Sequence, residues 1–121
     1  MPLEVKTKAE AYKTALVFPG NPNLRLSDVH GSVKAEGSLK PLATGYFFLA
    51  KDESVNKPFP EYTYDETGIV IEGSLILSEG VVTKTLKAGD TFFIPKGSKI
   101  AFNTEDYTIV YKVGGRWIGE Y

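Results

Sequence analysis

The chain contains no cysteine and a single histidine, His30, among 121 residues. Without cysteine there are no disulfides, no thiolate nucleophile and no sulfur-ligated metal. One histidine cannot supply the converging imidazoles that a transition-metal site favours. No metal and no cofactor are therefore expected. No apolar run reaches the roughly 18 residues of a membrane-spanning helix, so no membrane contact is expected. The opening residues, MPLEVKTKAEAY, lack the apolar centre of a signal peptide, and a cytoplasmic location is the default expectation. Net charge is −1 with no basic stripe, which argues against nucleic acid as a partner. The phosphate-cradling pattern GxxxxGK[ST] does not occur either.

What the chain does have is the composition of an ordinary globular protein, 42% hydrophobic and 24% charged. Its length suits one domain spanning 1–121, with an N-terminal arm at 1–22 and a barrel core at about 44–117. Residues 6–16, KTKAEAYKTAL, suit a short helix or ordered arm, and VFPGNP should break it. After that come short apolar runs joined by Gly or Pro. LRLSDVHGSVKAEG alternates in part, with a turn expected at His30-Gly31. ATGYFFLAK reads as a strong strand. GIVIEGSLIL, VVTKTLK, TFFIP, KIAFN and TIVYKV follow, parted by SEG, AGD, KGS and TEDY. Many short strands with turn residues at the joints predict an all-β barrel or sandwich.

Two stretches carry a family resemblance. Gly89, Pro95, Gly97 and Asn103 follow the second cupin motif almost to the residue, and Glu66 and Gly73 occupy the Glu and Gly of the first. The chain thus resembles the cupin superfamily, which implies a jelly-roll β-barrel. The three histidine positions of those motifs hold other residues. One is Ile100; the other two fall at Phe59 and Glu61, or at Pro60 and Tyr62 with the shorter spacing. Within the cupins, YTYDETGIVIEGSL, IPKGS and the closing YKVGGRW look like the EutQ group, the ethanolamine-utilisation cupins, over residues 59–117. That likeness implies an acetate kinase activity, and small cupins commonly form homodimers.

Glu66 is the leading candidate for chemistry. In the cupin arrangement its side chain points into the barrel, where an apolar wall suits a carboxylate to general acid or base work. The plainer reading is a carboxylate that only orders the barrel. Glu61 could face inward beside it, although a one-residue slip would turn Tyr62 inward instead. Lys51 should face solvent, which sends Phe47 and Leu49 outward and turns Tyr46 and Phe48 into the cavity. Phe59, Ile100, Phe102 and Tyr111 are further candidates for its wall, each of which could equally be core packing. His30, two residues after Asp28, could form an oriented base, or simply sit in a turn. Asp65 should point outward, and Trp117 reads as a plug or a dimer contact.

The expected function is metal-independent binding of a small organic molecule inside the barrel, with acid–base chemistry at Glu66 of isomerase, cyclase or lyase type. A non-catalytic binding or pathway accessory module is the alternative, alongside the kinase activity that the resemblance implies.

Overall fold

The computed structural model describes residues 3–13, 15–18, 21–34, 39–52 and 61–120. Among the described residues there is one α-helix, α1 (Lys8–Lys13), and Thr7 caps its start. The Thr7 hydroxyl accepts the Glu10 amide at 3.2 Å and donates to the Glu10 carboxylate at 3.1 Å. The helix is shorter than the expected 6–16, because Leu16–Phe18 are drawn into strand β1 by pairing with β2 (Asn21–Gly31). The helix thus ends before VFPGNP, and β1 and β2 take in residues on either side of that stretch.

The expected turn at His30-Gly31 is not there. Both residues belong to β2, which pairs with β3 (Ala43–Ala50) and absorbs the irregularity as a bulge between Asp28 and His30. The remaining strands are β4 (Glu66–Glu79), β5 (Val82–Lys87), β6 (Thr91–Ile94), β7 (Ala101–Asn103) and β8 (Tyr107–Gly114). All pairings are antiparallel, in the order β1-β2-β3-β8-β4-β5.

Strand β4 organises the barrel. Its first half pairs with β6 and β8, and its second half with β5 and β7. The switch falls at a bulge between Val70 and Glu72. Before it, Glu66 and Val70 point inward; after it the inward residue is Leu75, of opposite parity. Gly73, at φ 74°, crosses so close to β8 that a Cβ would collide with the Tyr107 carbonyl. Gly89 and Gly97 take up the positive φ of the turns that flank β6.

The interior is filled by Leu24 and Leu26 of β2, Phe47 and Leu49 of β3, Val70 and Leu75 of β4, Leu86 of β5 and Val110 of β8. This corrects the expected parity of β3. Phe47 and Leu49 face inward, while Tyr46 and Phe48 lie on the outer face beneath α1, edge-on to Tyr12 at 5.0 and 4.8 Å. Lys51 lies beyond the strand end at Ala50, where alternation no longer holds, so its exposure does not set the faces of β3. Tyr111 follows Tyr46 outward, since the two are cross-strand partners 5.2 Å apart. Among the described residues, no helix is long and apolar enough to cross a membrane.

Candidate functional site

A cavity of about 260 Å³ opens at one end of the barrel. Phe18, Leu24, Leu26, Phe47 and Phe102 form its apolar wall. Its polar groups come from the segment Glu61–Tyr64 and from Lys112. Behind it lies a void of about 10 Å³, the space of a single water, shared by Tyr62, Glu66 and Lys112.

Glu66 starts β4 opposite Gly114 of β8 and Ile94 of β6, and is 2% exposed. Its Oε2 accepts the Tyr62 hydroxyl at 2.9 Å. Its Oε1 lies 3.3 Å from the ammonium of Lys112, an ion pair buried on both sides. Tyr62, not Glu61, is the residue that reaches Glu66. Glu61 is exposed at the cavity rim, so the expected inward pair of carboxylates is replaced by a carboxylate and a phenol.

Lys112 was not anticipated. It is a lysine on the inward face of β8, in line with Thr108 and Val110, and only 7% exposed. Its neighbours across both ladders are glycines, Gly45 on β3 and Gly68 on β4. Those two positions are crowded by the Asp28 carboxylate and the Phe92 ring, so a side chain there would displace the packing around Lys112. Burial pushes the Lys112 amine below the usual lysine range, against the opposing pull of the Glu66 charge. Its Nζ lies 5.9 Å from the centre of the Phe47 ring, a cation–π contact.

A second ion pair borders the first. Arg116 donates two hydrogen bonds to Asp28, at 2.9 and 2.7 Å, and the Gly119 amide adds a third at 2.6 Å. Burial alone would raise the Asp28 carboxyl, but these bonds and the Arg116 charge together hold it below its usual range. Tyr62 is pushed far above an ordinary phenol, first by burial and then by the Glu66 charge. Tyr64, pushed by the same two causes, rises to about 12. Both phenols therefore stay protonated and can act as donors through the neutral range.

The other expected residues scatter. Phe102 is on the cavity wall. Ile100 is buried but off that wall, and Phe59 lies outside the described residues. Tyr46, Phe48 and Tyr111, expected in the cavity, are on the outer aromatic face. His30 sits at the surface, 3.4 Å from Glu4. The Asp28–His30 base does not form, because Asp28 is engaged by Arg116 and the bulge at Val29 removes the shared face. Asp65 does turn outward, accepting the Lys96 amide at 2.7 Å in the turn after β6. The missed residues had a signal. Lys112 shares the parity of Val110, and placing Tyr46 outward would have sent Tyr111 out and Lys112 in.

An eight-stranded antiparallel barrel with its polar groups at one mouth is the cupin architecture. An RmlC-like cupin from Shewanella frigidimarina shares it at a TM-score of 0.65, covering 88% of each chain, although at 16% identity that likeness concerns the fold alone. Residues 39–114 match the model of the family described as ethanolamine utilisation protein EutQ, and the chain belongs to that family. The crystal structure of a putative ethanolamine utilization protein Q from Salmonella typhimurium is 31% identical, with a TM-score of 0.62, over 80% of this chain and 71% of that one. The acetate kinase EutQ of the same organism is 51% identical over 41 residues, which are 34% of this chain but only 18% of the relative.

Cupin barrels commonly hold a metal on histidines and a glutamate. The residues here do not fit one. Ile100 stands at one histidine position, the other two fall at Phe59 and Glu61 or at Pro60 and Tyr62, none of them histidine, and the Lys112 ammonium already sits 3.3 Å from Glu66, where it would repel a cation. Among the described residues no three His, Cys, Asp or Glu side chains converge.

Proposed function

We propose that the barrel binds a small organic molecule and transfers protons on it with Glu66, without a metal. The observation that carries this reading is the buried Glu66 carboxylate directly behind the wall of an apolar cavity, bonded to the Tyr62 phenol and paired with the Lys112 amine, both of which line that cavity. A carboxylate so placed can take a proton from a bound molecule and return it elsewhere. Tyr64, held in its neutral form at the cavity wall, can donate a hydrogen bond to charge that develops on the substrate, while Tyr62 orients Glu66. Proton abstraction and return beside a polarised bond is the common step of isomerases, cyclases and lyases.

Exchange of the α-protons of butanone in deuterium oxide tests this directly. The wild type should accelerate exchange above buffer, and Glu66→Gln should lose on the order of 100-fold or more of that rate. Full exchange in Glu66→Gln would leave the carboxylate an ordering role only, and the barrel would then be a binding or accessory module.

A second reading rests on the 41-residue match to the acetate kinase EutQ. It calls for phosphoryl transfer between ATP and acetate. ADP formation from ATP, magnesium and acetate, measured with the purified chain, would establish it; no turnover at millimolar nucleotide would remove it.

A further inference from the structure

Among the described residues one lysine is unlike the others. Among the described residues every lysine except Lys112 is exposed. Lys112 is buried and lines the cavity, and its Nζ lies 3.3 Å from a carboxylate whose other oxygen is bonded to a phenol. An amine, a proton acceptor and a proton donor thus meet at the wall of an apolar chamber. We propose that Lys112 is a nucleophile that forms an imine with a small, uncharged aldehyde or ketone bound in the barrel. This deepens the reading of the cavity given above and rests on it.

The charges around the amine select the ligand class. The groups that face Lys112 are Glu66 of β4, Asp28 of β2, Arg116 beyond β8, and the phenols Tyr62 and Tyr64 of the segment before β4. Two carboxylates and two cations already balance in two ion pairs. An anionic ligand would enter the apolar chamber as an unmatched charge, which burial penalises heavily. A neutral carbonyl adds none. Its oxygen accepts a hydrogen bond, and its carbon is electrophilic toward an amine.

The chemistry balances without any further reactant. Glu66 takes a proton from the Lys112 ammonium, which leaves a neutral amine and a carboxylic acid. Burial of Lys112 favours this direction. The nitrogen lone pair forms a bond to the carbonyl carbon as the carbonyl π pair moves to oxygen. That oxygen takes the proton back from Glu66, giving a carbinolamine. Its hydroxyl then leaves as water, with a proton relayed through Glu66 from the nitrogen, and a carbon–nitrogen double bond remains. One carbonyl compound and one amine become one imine and one water, with no oxidation or reduction. Protonated, that imine draws electrons from the α-carbon and makes the α-proton easier for Glu66 to remove.

Reductive trapping is the test. The full chain is incubated with butanone and sodium cyanoborohydride near pH 7, and each lysine-containing peptide is quantified by mass spectrometry over time. Butanone reacts slowly with solvated lysines, so exposed positions such as Lys84 and Lys99 serve as internal controls. Lys112 should acquire the secondary amine at least tenfold faster than any exposed lysine, and Glu66→Gln should slow that labelling at least tenfold while leaving the exposed lysines unchanged. Labelling of Lys112 no faster than Lys84 and Lys99 in the wild type would overturn the proposal, and this comparison requires no variant to fold. Saturation-transfer NMR of butanone on the same samples separates the two readings. Transfer and α-proton exchange without labelling at Lys112 would remove the imine and leave the barrel's acid–base role standing. Neither transfer nor labelling would remove both.

Discussion

Strands β3 and β8 show two opposite faces, and the two faces solve different problems. On the outer face Tyr46, Phe48 and Tyr111 stack beneath Tyr12 of the helix, aromatic against aromatic. On the inner face the same strands contribute Phe47, Val110 and Lys112, with a charge set among apolar side chains. The outer cluster is held by packing that tolerates partial exposure. The inner one carries two ion pairs and a phenol that would not be buried for stability alone, because desolvating charged groups offsets most of what their attraction returns. Polar groups arranged this way around a cavity are what supports the function proposed for the inner face.

The largest effect should come from breaking the inner pair. Glu66→Ala leaves the Lys112 ammonium buried without its partner, and should cost about 3–5 kcal/mol in urea or guanidinium unfolding. Glu66→Leu combined with Lys112→Met replaces both charges by apolar groups of similar size. That double variant should recover most of the loss, to within about 2 kcal/mol of the wild type, with no α-proton exchange. A double variant as unstable as Glu66→Ala would mean that the pair holds the barrel together. The outer face should behave in the opposite way. Phe48→Ala, at a half-buried position, should cost about 2 kcal/mol and leave butanone exchange unchanged. Loss of exchange there would dissolve the division between the faces.

The pH dependence of stability sharpens the same contrast. Asp28 is held below its usual value, so its contribution is present above pH 3.8 and fades as pH falls through its folded value. Tyr64 is held above its usual value, so its contribution is present below pH 10.0 and is lost as pH climbs toward about 12. Asp28→Asn should flatten the acid limb of the stability curve and Tyr64→Phe the alkaline limb. An unchanged curve in either variant would mean that other groups set that limb. The smallest effect is expected at His30. Its contact with Glu4 is an exposed pair, and His30→Ala should change stability by at most about 0.5 kcal/mol and leave exchange intact.

How far each feature could be read from the chain depended on the range of the interaction behind it. Gly89, Pro95 and Gly97 act through their own backbone, so the turns around β6 were legible directly. Glu66 was legible through its place in a family pattern. The faces of β3 were not, because period-two alternation says which residues share a side but not which side is the core. Lys51, one residue past the strand, supplied the wrong anchor. The Asp28–Arg116 pair joins residues 88 apart in the chain, and no local pattern announces it. Lys112 hid for a different reason. A lysine inside a strand is ordinarily taken as solvent-facing, and only the glycines opposite it on both ladders point the other way.

The sequence by itself determined the strand-rich barrel, the tight turns, the family and the glutamate at the head of β4, because these rest on local backbone preference and on spacing along the chain. The tertiary structure decided which face of each strand is inside, that Tyr62 rather than Glu61 meets Glu66, and that an ammonium stands beside it where a metal would have been sought. Those outcomes depend on cross-strand register and on two bulges, at Asp28–His30 and Val70–Glu72. In a strand one residue of slip reverses every side chain, so only the assembled sheet could settle them.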